Sequence, residues 1–145
     1  MSQQLKTPTL IDVRGPRFSA TITVIVLAIA LATQNAWVLA LQAVVFAIGA
    51  IRGPQFTPYA FIFKRVVKPR LRGEVVTEDS RPPQFAQTVG FIFALVGLLG
   101  AAIGSSLVFG IAVGFALAAA FLNSVFNYCL GCEMYLLVLR IRTRS

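Results

Sequence analysis

A chain of 145 residues that is 57% hydrophobic and 12% charged, with a mean hydropathy of +0.80, is too apolar for a water-soluble domain, in which about half apolar and a quarter charged is usual. A formal charge of +8 would suggest nucleic acid in a soluble protein, but the thirteen basic residues fall at 6–17, 52–81 and 140–144, and the apolar runs between carry none. Soluble and nucleic-acid-binding functions are thereby excluded, and the composition predicts an all-α integral membrane protein of four short transmembrane helices in two hairpins.

The first apolar stretch, 18–51, is broken only by Thr33-Gln34-Asn35. Dividing it there predicts spans at 18–33 and 36–51, each about 24 Å long at 1.5 Å per residue, somewhat short of a hydrocarbon core of about 30 Å. Residues 1–32 also have the outline of a signal peptide, with Ala30-Leu31-Ala32 as a cleavage-like triplet. The long basic segment before the apolar run favours a retained helix.

One pattern recurs three times on the charged side: Arg14-Gly15-Pro16-Arg17-Phe18, Arg52-Gly53-Pro54-Gln55-Phe56 and Arg81-Pro82-Pro83-Gln84-Phe85. Arginine anchors at headgroups, proline suits the first helical turn where no amide partner is lost, and phenylalanine enters the interface, so each box reads as a helix start. The first and third boxes also share Thr21 and Thr88 and each opens a hairpin, which suggests an internal duplication.

After the second box, Phe56, Tyr59, Phe63 and Val66 fall at helical spacing and predict a short helix at the interface, closed by Pro69. Lys64, Arg65, Lys68, Arg70 and Arg72 form a lipid-facing basic cluster. It sets topology and is also suited to anionic lipid. The remainder of the 52–82 loop mixes acidic and basic residues with glycine and proline and reads as solvated.

The second apolar stretch breaks at Gly104-Ser105-Ser106, predicting spans at 83–104 and 107–128. With two hairpins every charged stretch lies on one side, which the positive-inside tendency makes the cytoplasm of a bacterial plasma membrane, with both termini there. Gly110, Gly114 and Ala118 form a small-residue stripe expected to pack against Gly97, Ala101 and Gly104 of the preceding helix, or to make a homodimer. No ionisable residue lies well inside a span, which argues against a pump. Asn123 and Asn127 are read as interhelical hydrogen-bonding groups.

The chemistry-bearing residues come last, in Cys129-Leu130-Gly131-Cys132. Continuation of the helix would put both cysteines on one face; alternatively Gly131 ends the helix before an interfacial helix at 133–142. A structural disulfide is disfavoured on a reducing cytosolic side. A closed zinc site needs four ligands, and two cysteines without histidine supply one only across a dimer or with a partner, so no metal and no other cofactor is implied. A redox or sulfur-handling dithiol fits the spacing, against the plainer reading of two small apolar side chains.

The segment from Asn123 to Tyr135, with Asp12-x-Arg14-x-x-Arg17 before the first helix, resembles the small bacterial membrane proteins of domain-of-unknown-function family 4395. The resemblance covers nearly the whole chain and marks Cys129, Gly131, Cys132 and Tyr135. It implies association with thioredoxin-like or sulfurtransferase-type proteins but no defined activity. The leading expectation is a cytoplasm-facing thiol protein exchanging electrons or sulfur with a thioredoxin-like or rhodanese-like partner. Cys129 and Cys132 would react, while Asn127, Tyr128 and Tyr135 shape their pocket. A non-enzymatic accessory or scaffold subunit of a larger membrane complex and a small solute carrier are the alternatives.

Overall fold

A computed structural model describes residues 10–70, 77–126 and 128–144. The architecture is all-α, with helices α1 (Arg14–Thr33), α2 (Ala36–Ile51), α3 (Pro58–Ile62), α4 (Arg81–Ala102), α5 (Ser106–Phe126) and α6 (Leu130–Arg144). A 3-10 turn (Pro54–Phe56) precedes α3, and a π turn (Phe63–Val67) and a 3-10 turn (Lys68–Arg70) continue it. Among the described residues three helices, α1, α4 and α5, are long and apolar enough to cross a membrane, and α2 is a shorter apolar helix. Just before α1 and α4, strands β1 (Leu10–Asp12) and β2 (Thr77–Asp79) pair antiparallel, with Ile11 opposite Glu78.

The sequence explains the breaks. Gln34 caps α1 in the left-handed region (φ 52°), and the Asn35 side chain accepts a hydrogen bond from the Trp37 amide at 2.9 Å, starting α2. Between α4 and α5, Gly104 takes φ 77° and the Ser105 hydroxyl accepts from the Val108 amide at 3.2 Å. The backbone bonds match as well. The Asn35 amide reaches Ala30 O and the Leu39 amide reaches Asn35 O, while the Ser105 amide reaches Gly100 O and the Phe109 amide reaches Ser105 O.

This correspondence extends through the two halves. Helix α1 packs on α5 and α2 on α4. Thr21 and Thr88 each donate to the carbonyl four residues earlier, that of Arg17 and that of Gln84. Gln84 also donates to Ala50 O near the end of α2, as Arg17 donates to Ser124 O and Val125 O at the end of α5. Phe18 packs on Phe63 and Phe85 on Tyr135, with ring centroids 5.7 and 5.6 Å apart.

Where the halves meet, the core is filled by Leu27, Ala30, Leu39, Ala43, Phe46, Ala94, Phe109, Val113 and Ala116. In lipid such residues gain little from leaving an apolar solvent, so close packing and satisfied polar groups must hold the bundle. The tightest α4–α5 approach is at Gly100, where an added Cβ would lie 2.8 Å from the Phe109 amide nitrogen. The expected stripe does not make this contact: a Cβ on Gly110 would meet only Leu31 of α1, at 4.0 Å, one on Gly114 would meet nothing within 4 Å, and Ala118 is exposed. The small residues at the seam are Gly97 and Gly100, set against Ala112 and Phe109. In the interior, Tyr59 Oη donates to the buried Gln42 Oε1 at 2.7 Å. Burial raises the Tyr59 pKa and keeps the phenol a donor.

At the start of α1, Asp12 Oδ1 accepts from the Arg14 amide and Nε, both at 3.0 Å, and Oδ2 accepts from Arg14 Nη2 at 2.8 Å. The hydrogen bonds from Arg14 hold the Asp12 carboxyl below its ordinary pKa, against the opposing effect of burial. A depressed carboxylate stabilises the fold fully above its unfolded value of about 3.9 and loses that contribution as pH falls through the lower folded value. Asp12→Asn is therefore expected to lower the unfolding midpoint at pH 7, with the gap to wild type closing as wild-type Asp12 protonates in acid. A gap independent of pH would contradict this account.

Candidate functional site

The cysteines sit where α5 gives way to α6. Helix α5 stops at Phe126 and α6 begins at Leu130, so the chain breaks before the cysteines rather than at Gly131. Both sequence expectations are corrected here: the helix does not run through the pair, and Gly131 lies in the first turn of α6. The expected final helix, 133–142, is this longer α6.

Cys129 is the cap of α6. Its carbonyl accepts from the Glu133 amide at 3.1 Å, and its Sγ accepts from the Cys132 amide at 3.1 Å. Cap and third helical position bring the two Cα atoms to 5.1 Å, within the range a disulfide spans, and the cysteines are joined as one. This corrects the expectation against a disulfide; the local helix geometry preorganises it. Both residues are half-buried.

Several groups outside the motif fix this junction. A Cβ on Gly131 would lie 2.5 Å from Ala86 Cβ and 2.6 Å from Ala86 Cα, so glycine here permits a close approach of α6 to the start of α4. Tyr135, one turn along, stacks at a tilt on Phe85. Arg17 reaches across from α1 to the last carbonyls of α5, at 2.9 and 3.3 Å, a favourable place for a cation. Thr21 and Ser124 hydroxyls share a hydrogen bond of 2.7 Å beside it. Ala86 and Ser124 carried no signal of this role in the sequence, whereas Phe85 belongs to the third Arg-Pro box and Arg17 to the marked Asp12-x-Arg14-x-x-Arg17 pattern. Tyr128 is exposed and Asn127 lies outside the described residues.

The same cap occurs in the first half without cysteine. Thr57 caps α3: its hydroxyl accepts from the Ala60 amide at 3.2 Å, and its carbonyl accepts from the Phe61 amide at 3.0 Å. Thr57, Ala60 and Phe63 thus stand where Cys129, Cys132 and Tyr135 stand in the second half, each aromatic packed on the phenylalanine of its Arg-Pro box. Both junctions have this cap, and one of them carries sulfur.

The basic cluster lies apart, on the turns following α3. Lys64 donates to Gln55 O at 3.1 Å, Arg65 lies over the Phe61 ring at 4.9 Å, Lys68 Nζ is 3.8 Å from Asp12 Oδ2, and Arg70 is exposed. Arg72 lies outside the described residues. Of the expected apolar face, Tyr59 and Phe63 point inward, while Phe56 and Val66 are exposed. Among the described residues no group of three or more His, Cys, Asp or Glu is placed to hold a metal ion.

No curated protein and no solved structure matches the chain. A family model described as Domain of unknown function (DUF4395) matches residues 11–140, and the chain belongs to that family.

Proposed function

We propose that this membrane protein is a thiol–disulfide exchanger in which Cys129 and Cys132 trade electrons with a soluble thioredoxin-like partner. The observation that supports this reading is the Thr57–Ala60 cap. An equivalent junction is closed with threonine and alanine, so the cysteines are not needed to build it and their presence calls for a chemical reason.

The local geometry suits exchange. The Cys132 amide and the positive end of α6 both favour negative charge on Cys129 Sγ once the disulfide is opened. In the oxidising direction, Cys129 thiolate attacks a sulfur of the partner's disulfide and expels the partner's other sulfur as thiolate. Cys132, after losing its proton, attacks Cys129 Sγ, closing the Cys129–Cys132 bond and releasing the partner as a dithiol. Two electrons have then moved to the partner, and the reverse sequence reduces the pair.

The same reading takes α2 as a fourth span, completing two hairpins. The loop 52–82 and both termini would then share the cytosolic side of the plasma membrane, where soluble partners reach the cap. A solute carrier is less well supported, because the surfaces where the halves meet are filled by apolar side chains. The test is a trapping experiment. With Cys132→Ser, attack stops at the mixed disulfide, and a covalent adduct with one discrete partner is expected on non-reducing gels. Absence of any adduct from both Cys132→Ser and Cys129→Ser would defeat the proposal.

A further inference from the structure

The junction in the first half, where threonine replaces cysteine, carries a different feature. A cavity of about 190 Å³ lies between β1, the start of α1 and the α3 segment, walled by Leu10, Gly15, Pro54 and Phe63, with Lys64 and Lys68 among its lining residues. These lysines are four positions apart on the turns that continue α3, and the matching positions on α6 are Leu136 and Arg140, so the second half does not repeat the lysine pair.

We propose that this cavity binds the phosphate of an anionic phospholipid headgroup between Lys64 and Lys68. The inference goes beyond the cysteine chemistry and stands independently of it. Asp12 also lines the cavity, but its carboxylate already takes three hydrogen bonds from Arg14, and Lys68 Nζ stands off at 3.8 Å. Among the residues lining the cavity, Lys64 and Lys68 outnumber the single carboxylate, Asp12. Lys64 spends one of its three donors on Gln55 O. The walls of Leu10, Pro54 and Phe63 offer apolar contact to the carbon skeleton of a phosphodiester, which inorganic phosphate lacks. The cavity adjoins the first turns of α1, at the charged end of the bundle where headgroups lie.

Native mass spectrometry of the detergent-solubilised full chain, titrated separately with phosphatidylglycerol, phosphatidylcholine and inorganic phosphate, tests this. Phosphatidylglycerol is expected to be retained in preference to the other two. Lys64→Gln with Lys68→Gln should weaken it roughly 10- to 30-fold, from about 1 kcal/mol for each basic residue. Arg140→Gln with Arg142→Gln, the same charge change on α6 and outside the cavity, should leave it unaltered. An equal loss in that control pair, equal retention of phosphatidylcholine, or displacement of the lipid by inorganic phosphate at comparable concentration would each overturn the assignment; the last would give the site to the free anion.

Discussion

Replacing Cys129 by threonine and Cys132 by alanine, the residues of the first-half cap, is expected to abolish every thiol-dependent activity and leave the fold intact. Threonine is an effective cap, and its hydroxyl takes the place of the sulfur that accepts from the residue-132 amide. The unfolding free energy should match that of the reduced wild type to within about 0.5 kcal/mol, the range of a change that disturbs neither packing nor capping. Oxidised wild type should be more stable than either, by up to about 2 kcal/mol for so short a closed loop. Thermal unfolding of the three forms in one detergent decides the question. If the substituted chain unfolds several kcal/mol below reduced wild type, the cysteines are structural and the comparison with Thr57 and Ala60 misleads.

The second large effect belongs to Gly131. With leucine there, Cβ alone would overlap Ala86, including its backbone Cα at 2.6 Å, so α6 must lift from α4. Such overpacking costs about 1–3 kcal/mol. The displacement should also separate Tyr135 from Phe85 and raise the alkylation rate of the reduced cysteines. Gly114→Ala supplies the contrast. Its Cβ meets nothing within 4 Å, so the helix-propensity gain of up to about 1 kcal/mol is expected without a packing penalty. Equal destabilisation by the two substitutions would contradict the assignment of the seams.

Much of the fold is legible in the sequence because its turns are written in polar and glycine residues. Thr33-Gln34-Asn35 and Gly104-Ser105-Ser106 interrupt apolar runs with residues that tolerate positive φ or cap a helix, and the helices end there. The Arg-Pro boxes likewise mark the starts of α1 and α4. The repeat beyond those boxes is hidden, because its matching hydrogen bonds are made by different residue types: Asn35 and Ser105, Thr57 and Cys129, Arg17 and Gln84. Sequence comparison sees unlike letters where the backbone sees one geometry.

Glycines are ambiguous in the sequence for a related reason. Gly131 reads as a helix stop, yet its role is to let Ala86 approach, a requirement set by a helix more than forty positions earlier and invisible locally. Gly110 and Gly114 have the spacing of a packing stripe, but the rotation of α5 turns Phe109, Ala112, Val113 and Ala116 inward instead. The short β1–β2 pair has no alternating pattern and depends on two segments brought together by the helices. Of the site, the cysteine pair and Tyr135 are legible, while the supporting contacts of Arg17, Ser124, Phe85 and Ala86 depend on tertiary structure.

The central claim, an exchange-active cysteine pair reached from the charged face, is tested most directly by labelling Cys129 and Cys132 in sealed vesicles of known orientation. The reduced pair should react with a membrane-impermeant maleimide only when the face bearing the 52–82 loop is outward. It should be protected again, by re-formation of the disulfide, after incubation with an oxidised thioredoxin-like protein. Labelling from the opposite face, or a pair whose redox state no such protein changes, would contradict the claim.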